Sequence, residues 1–386
     1  MKKRTIALKT AALLLCLLIG ILPLTGCTSK GVSGESGRAA SPAEEQQAAD
    51  AEGPTAAPTV DCDPLTGAAP GTYDEQGLRP VAVMIDDNSA ALPQSGIDAA
   101  SVTYEMVTEG GIPRMMAVFH STAELGKVGP VRSTRDQFVQ LALPQNAVLL
   151  HIGTSIYASS LLRVEGYPTV DGIYLGTTAF TFDEERARTR DNCHCFYAGQ
   201  DSAVAGMAQA GVTAEGSIAP LFRFVPYTDA PRTLTGGAAV DIRFSFSAVA
   251  PVRLTYEEAT GKYIKGEYGV PQTDEATGAQ LSYRNLLLLG CSVGLKEDGL
   301  CTEFDFSSGT GWYLYGGCCE PLTWEKGEAG APLRLFAADG SELQLNVGNT
   351  YVAFADTRAL QNTLTFDGVS PMGTLPQEQS AEQPAG

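Results

Sequence analysis

An eight-residue segment, residues 129–136, carries the residue types that bind anions in proteins. It reads Gly-Pro-Val-Arg-Ser-Thr-Arg-Asp. The glycine and proline predict a rigid turn, and we expect a helix to begin near Ser133. Backbone N–H groups at the start of a helix attract anions, and Arg132 and Arg135 add two guanidinium groups three positions apart. The segment therefore predicts a site for phosphate, pyrophosphate or carboxylate.

The same segment also fits a structural role. Ser133 and Asp136 have the spacing of a helix capping box, in which side chains satisfy the free N–H groups of the first turn. Arg132 and Arg135 would then form ion pairs on the surface or between domains. The sequence favours the capping role for Ser133 and Asp136, and it leaves both roles open for the two arginines.

A set of acidic residues precedes this segment. Asp86 and Asp87 follow a continuous apolar run, and Glu105 and Glu109 follow further along. Sites in α/β folds often lie where such strands end, and carboxylates beside arginines can hold Mg²⁺ against a phosphate. The spacing is irregular, however, so the sequence favours a structural role in which Asp86 caps a loop and Glu105 pairs with Arg114. We expect no metal or other cofactor, and Mg²⁺ only if the protein is an enzyme.

Two of the three histidines are candidates for ligand contacts. His151 ends an apolar strand and precedes a glycine, a placement that suits a general base, although a hydrogen-bonded structural histidine is the favoured interpretation. His194 lies between two cysteines, but no second ligand pair follows at zinc-site spacing. The candidate ligand-binding residues are Arg114, Arg132, Arg135, Asp86, Glu105, Glu109, His151 and His194.

The N-terminus predicts where the protein resides. A basic start is followed by a short apolar run and by Leu-Thr-Gly-Cys, which ends at Cys27. This order is typical of a secretory signal, and its last four residues resemble the lipobox of bacterial lipoproteins. The resemblance implies cleavage after residue 26 and lipidation of Cys27. We therefore expect attachment to the outer, extracytoplasmic face of the cell membrane through the lipid.

Composition argues against one class of function and indicates how the ends of the chain and its cysteines behave. The 386-residue chain has a net charge of −18, which argues against binding to nucleic acid. Residues 27–60 and 369–386 are poor in large apolar side chains, so we predict a disordered tether and a disordered tail. The extracytoplasmic address permits disulfides, and Cys291 and Cys301 flank a turn-like segment that suggests a hairpin cross-link.

Between the tether and the tail the pattern changes once. Residues 61–230 alternate apolar strand-like runs with helical periodicity, which predicts an α/β domain with a layered, mixed sheet. Residues 235–368 contain many short strands separated by glycine, aspartate and proline. This density predicts a β-rich (α+β) C-terminal domain.

Several short motifs, in order, resemble the YerB-like, or DUF3048, family of bacterial lipoproteins. The resemblance covers roughly residues 64–356 and implies two domains on a lipid anchor, without an established reaction. The matching stretches are residues 64–67, 79–86, 93–96, 104–105, 109–112, Arg114, 129–133, 182–183, Arg186, His194, Asn285, 309–311, 324–326, 339–340 and 348–350.

Three functions are compatible with these patterns. The first is a membrane-anchored binding or scaffolding module whose partner is an envelope protein or a small anion. The second is a cell-envelope enzyme that acts on a phosphate- or pyrophosphate-linked glycan or lipid, by analogy alone with the Asp/Arg-rich sites of LytR-CpsA-Psr phosphotransferases. The third is a structural protein with its arginines buried between domains. No Walker A, G-x-G-x-x-G or H-E-x-x-H motif occurs, and no catalytic residue is assigned.

Overall fold

The computed structural model describes residues 61–71 and 77–375. The predicted signal peptide, Cys27 and the tether at residues 27–60 lie outside these ranges. Within them, no helix has the length and apolar content needed to cross a bilayer. The described residues form one compact unit that includes both predicted domains.

Strands and helices alternate in the first part of this unit. Its strands are β1 (Val81–Asp86), β2 (Val102–Val107), β3 (Pro113–Phe119), β4 (Val148–His151), β5 (Val170–Asp171), β6 (Thr181–Phe182), β7 (Phe196–Tyr197) and β8 (Arg223–Phe224). Its helices are α1 (Asp136–Ala142), α2 (Ile156–Val164), α3 (Gly172–Leu175) and α4 (Gln200–Ala210).

Strands dominate the second part, which has a single α-helix among its described residues. The strands are β9 (Asp241–Ser247), β10 (Ala250–Glu257), β11 (Lys262–Glu267), β12 (Val270–Pro271), β13 (Ser282–Tyr283), β14 (Asn285–Cys291), β15 (Val293–Leu295), β16 (Thr302–Phe304), β17 (Ser308–Tyr315), β18 (Cys318–Glu325), β19 (Arg334–Ala337), β20 (Gln344–Leu345), β21 (Thr350–Asp356) and β22 (Thr365–Phe366). The helix is α5 (Thr357–Thr363).

Short 3₁₀ helices fill several of the connections. They are Ser89–Ala91, Glu109–Gly111, Thr122–Glu124, Leu143–Gln145, Gly176–Thr178, Arg186–Arg188, Asn192–His194 and Met372–Thr374.

A ten-stranded mixed sheet runs through both parts, in the order β19-β18-β17-β14-β21-β2-β3-β1-β4-β5. The parts join where β2 pairs in parallel with β21, with Val102 opposite Thr350 and Met106 opposite Phe354. All residues of β1, β2, β3 and β14 are buried. This burial explains the continuous apolar runs Val81–Ile85 of β1 and Leu286–Leu289 of β14, whereas β2 carries Thr103 and Glu105 at alternate positions. The predicted fold class is confirmed, and the two regions share this sheet.

A second sheet of six strands has the order β12-β11-β10-β9-β22, with β13 added on β11. Its strands alternate as the sequence predicts, with Ile242, Phe244 and Phe246 of β9 buried on one face. Three two-stranded sheets complete the described part: β15-β16, β8-β20 and β6-β7.

Three expectations require correction. Helix α1 begins at Asp136, and its N-cap residue Arg135 makes no side-chain cap, so the capping box at Ser133 is wrong. Cys291 and Cys301 are free thiols, because Cys291 belongs to β14 while the turn lies inside the β15–β16 hairpin. The predicted tail begins too early, since the indole of Trp312 donates a hydrogen bond to Thr374.

Candidate anion-binding site

The site is built on the end of β1. Asp86 is the last residue of β1, and the antiparallel register places it directly opposite Arg114 of β3. Directly opposed residues point to the same face of a sheet, so an acidic and a basic side chain meet there. Both residues are buried.

The segment that the sequence analysis singled out runs along the end of β1. The Asp86 N–H donates to the carbonyl of Pro130 at 2.8 Å, and the Arg132 N–H donates to the carbonyl of Met84 at 3.0 Å. These bonds bring Arg132 Nε within 3.1 Å of Asp86 Oδ2. The Arg132 side chain is 33% exposed, so its guanidinium is accessible to a ligand.

His194 completes the surroundings of Asp86. Its Nδ1 lies 2.7 Å from Asp86 Oδ2, and its carbonyl accepts a hydrogen bond of 3.0 Å from Arg186 Nε. Among the described residues, His194 Nε2 has no hydrogen-bond partner. A carboxylate on one ring nitrogen fixes the orientation of an imidazole and leaves the other nitrogen available for a ligand or a proton.

Arg135 is held by a separate acid. Its Nε and Nη2 donate to the two oxygens of Glu109 at 2.6 and 2.8 Å, which is a two-pronged ion pair. Burial alone would raise the pKa of Glu109, but the hydrogen bonds and charge of Arg135 lower it. Glu109 is therefore ionised at neutral pH and covers Arg135.

Arg114 connects these groups. Its Nη1 donates to the Ser133 carbonyl at 2.7 Å, whereas its buried Nε has no partner in the described residues. Burial lowers the pKa of Arg114, and the positive charges of Arg135 and Arg132 lower it further. The three arginines thus repel one another in a partly buried space, and a bound anion would relieve this repulsion.

Six of the eight candidate residues lie here in two neighbouring groups. Asp86 contacts Arg132 and His194 and stands opposite Arg114, while Arg135 pairs with Glu109, and the charges of this pair act on Arg114. Three permanent positive charges face two carboxylates, so the cluster is locally positive within an acidic chain. Such an arrangement suits a small anion with several acceptor oxygens.

Glu105 lies elsewhere, and its predicted pairing with Arg114 is wrong. In the β2–β3 register Arg114 stands opposite Met106, while Glu105 stands opposite Met115 and points to the other face of the sheet. There Glu105 Oε2 lies 3.0 Å from Lys265 Nζ and accepts a 2.7 Å hydrogen bond from the Tyr351 hydroxyl. No sequence pattern indicates Lys265 as a partner of Glu105.

His151 is buried and structural in its contacts. Its Nδ1 lies 3.0 Å from the Gly153 carbonyl and its Nε2 lies 2.9 Å from Thr169 Oγ1. Burial lowers its pKa, so the ring is neutral at neutral pH. Both ring nitrogens are occupied, which fits the hydrogen-bonded histidine that the sequence favoured.

Arg186 also contributes to the candidate site. In the sequence it is only one of the residues that resemble the family motifs, and its role follows from tertiary contacts. Its guanidinium donates to the carbonyls of His194 and Ala91, and it lies 3.3 Å from Glu275. Arg186 thus fixes the loop that carries His194, a role for which single-residue spacing offers no signal.

Comparison with known proteins identifies the family. The model described as the N-terminal domain of "protein of unknown function (DUF3048)" matches residues 65–213, and that of the C-terminal domain matches residues 240–352. The chain belongs to the DUF3048 family. All six residues of the candidate site lie within the N-terminal DUF3048 match.

This DUF3048 protein is similar to YerB of Bacillus subtilis both in sequence and in structure. "Putative lipoprotein YerB" of Bacillus subtilis is 27% identical over 231 residues, which cover 60% of this chain and 68% of that protein. The crystal structure of the YerB protein from Bacillus subtilis has a TM-score of 0.67 and 24% identity, and the match covers 79% of this chain and 100% of that chain. This structural likeness supports the fold alone.

Proposed function

We propose that this protein is a lipid-anchored binding protein of the bacterial cell envelope, and that its N-terminal half binds an anionic ligand at Arg114, Arg132 and Arg135. The observation that carries the proposal is that Arg132 and His194 both contact Asp86, which stands opposite Arg114, and that the Arg132 side chain is 33% exposed. Arg135 adds its charge close to Arg114 from its pair with Glu109. In this cluster some polar groups pair within the protein and others are open to solvent. Such a combination is typical of a binding site rather than of a closed ion-pair network.

The anchor is proposed from the N-terminus. Its lipobox-like end at Cys27, together with the similarity to a relative named as a putative lipoprotein, supports lipidation and a position on the extracytoplasmic face of the membrane. A tether at residues 28–60 would let the folded unit reach an envelope protein or a ligand near the surface.

The proposed ligand carries a phosphate, a pyrophosphate or a carboxylate. It would accept hydrogen bonds from Arg132. It would also accept them from Arg135 when the Glu109 carboxylate moves away from that guanidinium. Its charge would also offset the unpartnered Nε of Arg114. Guanidinium groups match such oxygens in pairs, which favours a planar or tetrahedral anion over a chloride-like ion.

One observation supports the enzyme alternative. The Asp86–His194 pair leaves Nε2 free beside Arg132, an arrangement that suits proton transfer next to a stabilised anion. In this second proposal the substrate is a phosphate- or pyrophosphate-linked glycan or lipid of the envelope. The assay is release of phosphate from such a substrate, which His194→Gln should abolish while pyrophosphate binding persists.

Thermal unfolding with added pyrophosphate tests the binding proposal. A ligand that binds only the folded state stabilises it by about 2.7 kcal/mol at a hundredfold excess over Kd. We expect pyrophosphate to raise the Tm of the protein, and we expect Arg132→Ala to remove this effect.

Arg358→Ala is the matched control, because Arg358 is an exposed arginine on α5, outside the cluster. It should leave the pyrophosphate effect intact. If no anion changes the Tm, or if both variants lose the effect equally, the anion site is refuted and cross-linking to envelope proteins becomes the next experiment.

A further inference from the structure

Three carboxylates and one lysine lie together in a position that the proposed anion site does not use. Asp87 follows β1, Glu105 lies in β2, and Lys265 and Glu267 lie in β11 of the second sheet. All four are buried, with exposures of 0–1%. One carboxylate oxygen from each of the three acids lies within 4.8 Å of the other two.

Lys265 uses all of its donors inside this cluster. Its ammonium group lies 3.0 Å from Glu105 Oε2, 2.6 Å from Glu267 Oε2 and 2.7 Å from Gln272 Oε1. An ammonium group has three N–H donors and no acceptor. It therefore has no donor left for the remaining carboxylate oxygens.

One oxygen of each acid is left without a partner. Asp87 Oδ1 accepts hydrogen bonds from Gln94 and Gln272, and the Glu105 and Glu267 Oε2 atoms face Lys265. In contrast, Asp87 Oδ2, Glu105 Oε1 and Glu267 Oε1 are buried and have no hydrogen-bond partner among the described residues. Native proteins rarely leave such atoms unsatisfied.

A fourth buried oxygen is also unsatisfied. The Tyr283 hydroxyl, from β13 beside β11, has no hydrogen-bond partner in the described part of the chain. Its ring stacks on that of Tyr351, with centroids 5.2 Å apart, and Tyr351 donates to Glu105. Burial raises the pKa of Tyr283, Thr103 and the charge of Lys265 oppose this rise, and the charges of Glu105 and Asp87 add to it. Tyr283 thus adds a further buried oxygen close to Glu105 and Asp87.

The charge of the cluster is unbalanced. If all three carboxylates are ionised, they and the ammonium group carry a net charge of −2 in a place without solvent. Burial and the neighbouring carboxylates raise the pKa of Asp87 well above its ordinary value and that of Glu267 to about 8. Buried charge without compensation costs several kcal/mol per ion. One divalent cation balances this charge, and so do two protons.

We propose that Asp87, Glu105 and Glu267 bind one hard divalent cation, Ca²⁺ or Mg²⁺, between the two sheets. Carboxylate oxygens are the ligands that these ions prefer. Three oxygens within 4.8 Å of one another can reach a single Ca²⁺ ion, whose opposite ligands stand roughly 4.6–5.2 Å apart. The cation would connect the ten-stranded sheet, through Asp87 and Glu105, to β11 of the six-stranded sheet.

Metal analysis and unfolding of the full-length protein test this proposal. Protein purified without chelator should hold about one equivalent of Ca²⁺ or Mg²⁺ by elemental analysis. Removal of the metal with a chelator should lower the Tm by roughly 5 °C, the size expected for a ligand in large excess over Kd, and the same metal should restore it. Separate Ca²⁺ and Mg²⁺ additions identify the ion.

Variants separate the cation from the protons. Asp87→Asn keeps the acceptor for Gln94 and Gln272 but removes the charge, so the bound metal and its effect on Tm should both be lost. Glu184→Gln, an exposed acid, should change neither. A protein that holds no metal and shows no metal-dependent Tm would overturn the proposal. Stabilisation by Asp87→Asn in that case would establish the two-proton state.

Discussion

Glu109 determines how much of Arg135 is available to an anion. The two side chains form a two-pronged ion pair and are only partly exposed, at 19% and 15%. We predict that Glu109→Gln tightens pyrophosphate binding about fivefold, which corresponds to about 1 kcal/mol, because it frees one guanidinium and removes a competing charge. Calorimetric titration measures this change.

The matched control for this substitution is Glu303→Gln, an exposed acid in β16. It should leave pyrophosphate affinity unchanged. Unaltered or weaker binding in Glu109→Gln would mean that Glu109 positions Arg135 for the ligand rather than shielding it, and the proposed mode of binding would need revision.

His120 makes stability depend on pH through its contacts with Asp63. Its Nε2 lies 2.9 Å from Asp63 Oδ1, and its Nδ1 lies 3.0 Å from Glu124. Burial alone would lower the pKa of His120, but these hydrogen bonds raise it to about 9. Because the folded-state pKa exceeds the unfolded value of about 6.5, this contribution is complete below that pH and is lost as the pH rises through 9.

We therefore predict that the free energy of unfolding falls by on the order of 2 kcal/mol between pH 6.5 and pH 9.5, and that His120→Gln removes most of this fall. Urea unfolding at the two pH values provides the measurement. An equal fall in the variant would assign the pH dependence to other groups.

At the same scale, sequence reasoning identified residue types better than it identified neighbours. Asp86, Arg114 and Arg132, three of the candidate residues, lie together in the structure. Glu105 was paired wrongly, because a shift of one residue in strand register moves a side chain to the opposite face. Register depends on pairing with β3, which composition does not encode.

Strand β17 has no room for a side chain at Gly311. A Cβ atom at Gly311 would lie 2.4 Å from the carbonyl oxygen of Leu288 on the adjacent strand β14. Backbone cannot yield as a flexible side chain can, so we predict that Gly311→Ala lowers the free energy of unfolding by about 2 kcal/mol. Denaturant unfolding measures the loss.

Gly294 is a control in the same kind of structure. It lies in strand β15, and a Cβ atom there would meet nothing within 4 Å. Gly294→Ala should change stability by less than about 1 kcal/mol. Equal losses in both variants would indicate a general cost of replacing glycine rather than close approach of β14.

Elements with strong local patterns were predictable, and others were not. Strands β2 and β9 are recognisable from the sequence alone, because alternation of apolar and polar residues is a local signal. Strand β18 lacks such a signal, although it pairs with both β17 and β19. It contains Pro321, which cannot donate a ladder hydrogen bond, so the sequence argued against an interior strand.

The whole molecule shows a feature that no local pattern reveals, namely the parallel pairing of β2 with β21. These strands are separated by most of the described chain, yet they form the centre of the ten-stranded sheet. The domain boundary between residues 230 and 235 remains a prediction. A change in the pattern of apolar and polar residues does not show whether two regions share a sheet. Only long-range pairing distinguishes two independent domains from one continuous core.

This shared sheet predicts a single cooperative unfolding transition. Separation of residues 61–230 from 235–368 would expose the edges of β2 and β21 along their whole paired length, and it would also expose Lys265 and Glu105 to water. Unpaired, apolar strand edges are unstable and prone to aggregate. We therefore expect scanning calorimetry to give one peak with equal calorimetric and van't Hoff enthalpies.

A fragment of residues 61–230 should remain unfolded or insoluble when expressed alone. Two resolved peaks, or a fragment that folds with a sharp transition of its own, would show instead that the β2–β21 pairing forms after two independent domains have folded.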